Sequence, residues 1–336
     1  MGAFMGKIAW VFPGQGAQAV GMGKEVFAAS AAARDVLARA DAALSDPPLG
    51  GSRPDGDGPL SKIIAEGPEE TLTLTANTQP AIVTVSCAVL AALRESVPGL
   101  PAPAFAAGHS LGEYSALVAA SAMRLEDAVR LVRARGRAMQ AAVPAGEGAM
   151  SAVMGLDPEK VEDICRRAAE GTGAVVSPAN FNAPGQVVIA GHAAAVARAA
   201  ELVSEEKGKA IPLKVSAPFH CALMAPAARV LASELDRVSV GALAFPVIAN
   251  VDAQPNASAE RVKELLVRQV DGAVRWEETI RVMAREGVTH VLEIGPGKVL
   301  AGLIKRIAKD LRVLSVGDAA ALAQVPAFLA EAGASS

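Results

Sequence analysis

Residues 103–120 restrict the fold of this chain more than any other segment. Pro103–Ala107 is a short apolar run, Gly108-His109-Ser110-Leu111-Gly112 is a G-x-S-x-G turn, and Leu111–Ala120 has the pattern of a helix. A strand that ends in a strained turn and runs straight into a helix lifts the serine Oγ above the edge of a sheet. The helix N-terminus beside it contributes positive backbone dipoles. Such a corner belongs to an α/β protein, and it makes Ser110 the first candidate for a covalent nucleophile. By itself it suits any serine-based acyl chemistry.

The rest of the chain agrees with that architecture. Lys7–Phe12 reads as a buried strand, and Pro13–Gly23 as a glycine-rich loop leading into a helix. Asp46–Pro59, dense in Pro, Gly and Asp, reads as a surface loop without chemistry. Helical patterning returns at Ser61–Thr73, Thr78–Ser96 and Leu125–Ala142. From Gly148 the rhythm becomes strand 148–154, helix 158–170, strand 174–181, strand 185–190, helix 192–207 and strand 209–214. That β-α-β-β-α-β order is the ferredoxin-like unit. It predicts a small subdomain, residues 147–214, inserted into a larger α/β domain formed by 1–146 and 215–336. After Val215, helices 222–237, 258–269, 276–286 and 298–308 alternate with strands 246–249, 288–294 and 312–316. Short strands alternating with helices imply a mostly parallel sheet covered on both faces.

Composition narrows the function. In a chain of 336 residues, 51% apolar and 20% charged residues fit a well-packed globular enzyme. A net charge of −3 gives no attraction for nucleic acid or an anionic membrane, and 3% aromatic residues leave no base-stacking platform. The longest uncharged apolar stretch, Ala81–Leu93, is too short for a bilayer. The N-terminal residues lack the pattern of a signal peptide, and residue 6 is Gly where myristoylation requires Ser or Thr. Cys87, Cys165 and Cys221 are odd in number and lack metal-ligand spacing. The expectation is a reduced, cytoplasmic protein with no metal.

A serine nucleophile needs a base, and there are four histidines. His109 points to the far side of the turn, His192 opens a helix, and His290 alternates within a strand, so all three read as structural. His220 lies in the loop Ser216-Ala217-Pro218-Phe219-His220, at the junction of the small unit and the next helix, and is the candidate base. Its neighbour Cys221 reads as a small apolar residue at a helix start. An oxyanion hole needs two donors. The backbone N–H of Leu111 follows from the turn, and that of Gln15, in the loop Pro13–Gln18, is the second candidate. The same loop lacks the residues of a P-loop or a dinucleotide fingerprint.

Arg135 stands out on its helix. Glu126, Arg130, Arg133 and Arg137 share a polar face, whereas Arg135 falls among Ala128, Leu131, Val132 and Met139. Desolvating an unpaired guanidinium costs several kcal/mol in order of magnitude, so it needs a partner. An internal ion pair, a snorkelling side chain, and a bidentate receiver for a substrate carboxylate all meet that need. Gln79, Asn180, Asn182, Asn250 and Gln269 lie near element ends, where turn formation or capping is the ordinary role. Glu293–Lys298 is a strand-to-helix turn for which a phosphate role has little support.

Together these segments resemble the malonyl-CoA:acyl carrier protein transacylase family. The matching runs are FPGQGAQAVGMG at 12–23, TQPA at 78–81, GHSLGEYSALVAA at 108–120 and RGRAMQ at 135–140. They continue with NFNAPGQVVIAGH at 180–192, FHCALM at 219–224, NVDA at 250–253, LVRQ at 266–269 and EIGPGKVL at 293–300. The resemblance implies an α/β-hydrolase-like domain with an inserted ferredoxin-like one, Ser110 as nucleophile and His220 as base. It further implies that Arg135 receives a malonyl carboxylate and that Gln15 and Leu111 form the oxyanion hole. The histidine is then oriented by the backbone carbonyl of Gln269 instead of a triad carboxylate, with Gln79, Asn180 and Phe219 as pocket candidates. No permanently bound cofactor is implied. The substrates are malonyl-CoA and the phosphopantetheine thiol of acyl carrier protein, linked by a malonyl-serine intermediate and serving fatty acid synthesis.

Two departures from the pattern are visible. Residues 46–59 are longer than the family usually carries, and Phe219 stands where stand-alone members often have Ser. In related polyketide acyltransferases a Phe there accompanies malonyl choice. A trans-acting polyketide acyltransferase and a serine thioesterase or esterase are the alternatives that share the G-x-S-x-G turn.

Overall fold

The computed structural model describes residues 6–45, 58–215 and 217–334. The surface loop expected at 46–59 lies outside the described residues except for Gly58 and Pro59, and so does Ser216. The first part of the chain comprises β1 (Lys7–Phe12), α1 (Lys24–Ala29), α2 (Ala31–Ser45), α3 (Leu60–Glu66), α4 (Glu69–Thr73) and α5 (Thr75–Ser96). It continues with β2 (Phe105–Gly108), α6 (Gly112–Ala119) and α7 (Leu125–Ala141). Next come β3 (Gly148–Met154), α8 (Pro158–Ala169), β4 (Val176–Ala183), β5 (Gln186–His192), α9 (Ala193–Glu205) and β6 (Lys209–Pro212). A 3₁₀ turn, Ala222–Met224, precedes α10 (Ala225–Leu235), β7 (Val247–Ile248), β8 (Pro255–Asn256), α11 (Ala259–Asp271) and α12 (Trp276–Arg285). The chain ends with β9 (Val288–Ile294), α13 (Val299–Ile307), β10 (Arg312–Val316) and α14 (Ala319–Ala334).

Two sheets organise these elements. The larger runs β10-β9-β1-β2-β7-β8, parallel throughout except for the antiparallel edge strand β8. The smaller, β4-β5-β3-β6, is antiparallel and carries the β-α-β-β-α-β order of the ferredoxin-like unit. Its own core joins Val153, Ile164, Val187, Ile189, Ala199 and Val203 beneath α8 and α9. The fold class read from the sequence is therefore the one observed.

Register positions the site. Phe12 on β1 pairs with Gly108 on β2, so the loop after β1 and the turn after β2 leave the sheet side by side. Ligands of parallel α/β sheets bind outside such carboxyl ends. The small sheet is stitched to the same region. Phe181 N–H donates to the Val274 carbonyl and Val274 N–H to the Ala179 carbonyl, both at 2.9 Å. Helix α5 is long and apolar enough to cross a membrane, yet 89% of that window is buried inside the protein, as befits a core helix.

Several local readings need correction. The helix expected at Ser61–Thr73 is two short ones, because Gly67 adopts φ 73° and Pro68 follows. The helix after Gly23 likewise breaks at Ser30, which takes extended angles, and its Oγ accepts from the Ala33 N–H at 3.0 Å. Strand β8 and helix α14 are additions to the elements that the sequence pattern predicts. Arg133 is not on an exposed polar face: it is buried and donates to Asn77 Oδ1, since α5 packs across α7 there.

Candidate active site

The turn after β2 is strained in the way a nucleophile elbow requires. Ser110 takes φ 52°, a left-handed value uncommon for a residue with a side chain. A Cβ on Gly108 would lie 1.9 Å from the Gly112 carbonyl carbon, so only glycine allows α6 to fold back this closely. Asn250 clamps the turn from behind. Its Oδ1 accepts the Ser110 N–H at 2.6 Å and its Nδ2 donates to the Gly108 carbonyl at 2.7 Å. With the serine N–H occupied, the next one, from Leu111, has no acceptor among the described residues, and neither has that of Gln15. The β1 loop that carries Gln15 presses on the turn, since a Cβ on Gly14 would lie 2.5 Å from the His109 carbonyl oxygen.

His220 reaches the serine from the other side. Its Nε2 is 2.7 Å from Ser110 Oγ, and its Nδ1 is 2.8 Å from the Gln269 backbone carbonyl. A carbonyl only accepts, so Nδ1 carries the hydrogen and Nε2 presents a lone pair to the serine hydroxyl. Burial, and then the positive charge of Arg135, push His220 down to about 3, against the hydrogen bond to Gln269. The imidazole is thus neutral at physiological pH, in the form that accepts a proton. His220 also has φ 60°, a second strained residue facing the first.

Arg135 completes the cluster. It is 1% exposed, as its helical phase requires. Its Nη1 donates to Gln79 Oε1 at 2.7 Å, and its Nη2 to Gln269 Oε1 at 2.9 Å and Ser110 Oγ at 3.2 Å. Among the described residues its Nε–H has no partner, and no carboxylate lies within salt-bridge distance. Of the three roles open to it, the internal ion pair is therefore absent. The guanidinium is oriented by two neutral amides beside the serine oxygen, with its charge uncompensated by contact.

The family described as "Acyl transferase domain" matches residues 9–328. The chain belongs to this acyltransferase family. It is 47% identical over 315 residues to the malonyl CoA-acyl carrier protein transacylase of Bacillus subtilis, covering 94% of each chain. An acyl carrier protein S-malonyltransferase from Vibrio cholerae superposes with a TM-score of 0.88 at 45% identity, covering 95% of this chain and 99% of that one. A malonyl-transacylase solved in complex with a type II polyketide acyl-carrier protein gives a TM-score of 0.88 at 44% identity, with 95% and 98% covered.

In this acyltransferase Ser110, His220, Arg135, Gln79 and Gln269 stand together, with Leu111 and Gln15 alongside. Asn180 and Phe219 do not join them by hydrogen bonds. Asn180 is buried on β4 opposite Val274, which bonds the backbones of its neighbours Ala179 and Phe181, and Phe219 packs into the main core. His109 is the structural histidine expected, with Nε2 2.8 Å from Asn182 Oδ1 on the small sheet. His192 accepts the Val175 N–H at 2.9 Å, and His290 lies buried against Phe328. Burial raises the Cys221 thiol to about 11, so it stays protonated. Of two further residues here, Asn250 reads from the sequence only as a turn or capping residue, and Glu113 is not singled out. The clamp role of Asn250 and the buried carboxyl of Glu113 depend on partners some 137 to 156 positions away in the chain.

Proposed function

We propose that this acyltransferase moves the malonyl group from malonyl-CoA to the phosphopantetheine thiol of acyl carrier protein, supplying extender units for fatty acid synthesis. The observation that carries this reading is the buried Arg135 guanidinium, in contact with no described carboxylate and 3.2 Å from the Ser110 oxygen. Acyl groups that end in a carboxylate have a partner there; acetyl has none. The transferases similar to this chain act on malonyl groups by name, and one was solved with its acyl-carrier protein.

In the first half-reaction His220 accepts the Ser110 proton, and Ser110 Oγ attacks the thioester carbonyl of malonyl-CoA. The Leu111 and Gln15 N–H groups hold the oxyanion, and the malonyl carboxylate pairs with Arg135. Collapse breaks the C–S bond, CoA leaves with the proton from His220, and a malonyl-serine remains. The carrier thiol then repeats the sequence in reverse, its proton passing to His220. The backbone carbonyl of Gln269 keeps the imidazole in the required tautomer throughout, and Gln79 steadies the guanidinium. Residues 147–214 act as a small domain beside the catalytic one of 1–146 and 215–336, in a protein of the cytoplasm.

Intact-protein mass spectrometry after mixing with malonyl-CoA tests the scheme, with Ser110→Ala as control. A malonyl adduct on wild type that disappears on adding carrier protein supports transfer. CoA release with no adduct and no carrier requirement would mean a thioesterase. A carrier protein of polyketide synthesis discharging the adduct faster than one of fatty acid synthesis would assign the enzyme to that pathway.

A further inference from the structure

Glu113 lies behind the nucleophile, in the first turn of α6, and is 3% exposed. Its Oε2 accepts the Asn250 backbone N–H at 2.9 Å and Gln269 Nε2 at 2.9 Å. The same Nε2 also donates to the Ser110 carbonyl at 3.0 Å. Both hydrogens of the Gln269 amide are thus taken by acceptors on the elbow side. Its oxygen is left to face Arg135 Nη2 at 2.9 Å. The two ends of a side-chain amide have nearly the same shape, so partners alone decide which end faces which. Reversed, the amide would set NH₂ against the guanidinium, donor against donor, and Arg135 would keep only the Gln79 oxygen.

Glu113 thus reaches Arg135 through an amide. Direct contact would have made a buried ion pair, with which an incoming carboxylate would compete. Indirect contact fixes the direction of the guanidinium and leaves its charge available. We propose that Glu113 is a positioning residue that locks the Gln269 amide so that Arg135 meets the substrate carboxylate oriented and unneutralised. This rests on Arg135 being the carboxylate receiver.

The test is steady-state transfer by the full-length enzyme with malonyl-CoA and with acetyl-CoA, comparing Glu113→Met, Glu113→Gln and Arg135→Ala. Met keeps the length of the side chain and removes the acceptor. The amide oxygen of Gln can stand where Oε2 stands. Glu113→Met should raise the malonyl-CoA KM about tenfold or more while acetyl kcat/KM moves less than about threefold. Glu113→Gln should bring the malonyl KM back to within about threefold of wild type. Equal losses for both donors in Glu113→Met, an unchanged malonyl KM, or no recovery in Glu113→Gln would overturn the proposal. Arg135→Ala separates the two levels. Equal losses there defeat the receiver reading itself, whereas a malonyl-specific loss there without one in Glu113→Met defeats only the role of Glu113. If Glu113→Met does not fold, Glu113→Ala, which also removes the acceptor for Gln269 Nε2, carries the same comparison. The malonyl KM must again rise; an unchanged malonyl KM overturns the proposal.

Discussion

Strands β2 and β9 flank β1, and each ends in a glycine-containing turn that opens a helix, α6 in one case and α13 in the other. Each corner also buries a glutamate. At the β9 corner, Glu293 lies before the turn, and its two oxygens accept the N–H groups of Leu300 and Ala301 and the hydroxyl of Ser315. The first turn of α13 is thereby satisfied from within, and an external anion finds those donors occupied. At the β2 corner, Glu113 lies after the turn and faces backwards, toward Asn250 and Gln269. The Leu111 N–H in front has no acceptor among the described residues, and neither does the Nε–H of Arg135. Two similar strand-turn-helix joints thus differ in where their carboxylate points. One is a closed structural joint; the other leaves a backbone donor and a cation without an acceptor among the described residues.

The largest effect expected at the β2 corner comes from its base. His220→Ala should slow malonyl-serine formation by on the order of 10³-fold or more, measured by quenched intact-protein mass spectrometry. A loss under about tenfold would mean that the serine is activated in another way. The pH profile sharpens the same point. His220 is pushed from 6.5 down to about 3 by burial and by Arg135, so the acylation rate should stay level as pH falls from about 8 to about 5. A half-fall near 6.5 would show an unperturbed imidazole. The same shift affects stability, with a definite sign. The unfolded histidine takes up its proton at 6.5 and the folded one only near 3, so stability present above 6.5 is lost as pH falls through that window. Glu113 adds the opposite slope. Burial raises it to about 7 from 4.5, so its contribution is full below 4.5 and is lost as pH rises through 7. The melting temperature of Glu113→Gln relative to wild type should therefore climb between pH 5 and pH 8; a flat difference would argue against a buried carboxyl that resists ionisation. The smallest effect belongs to the closed joint. Glu293→Gln should lower stability by about 1–2 kcal/mol in thermal melts and leave the malonyl-to-acetyl rate ratio unchanged. A change in that ratio would break the contrast between the corners.

Much of this contrast was legible in the sequence, for local reasons. The elbow is contiguous, so Gly108–Gly112 between a strand and a helix announced Ser110. Helical phase alone put Arg135 among Ala128, Leu131, Val132 and Met139, all of which are buried. The proline-containing loop marked His220, and strand order marked the ferredoxin-like sheet. What stayed hidden depends on distant pairing. Glu113 reads as an ordinary first-turn acidic residue of α6 until Asn250 and Gln269 fold onto it. Arg133 shares the polar phase of α7, and only the packing of α5 reveals that it is buried. Helix α14 has an alanine-rich, nearly uncharged sequence, so periodicity gave no face to detect.

Arg135, beside Ser110 and in contact with no described carboxylate, is proposed to receive the carboxylate of the acyl group. Single-turnover acylation of wild type and Arg135→Ala by malonyl-CoA and acetyl-CoA tests it most directly. Malonyl transfer should fall by on the order of 10²-fold or more while acetyl transfer holds or rises, which collapses the selectivity. Equal losses for the two acyl groups would contradict it.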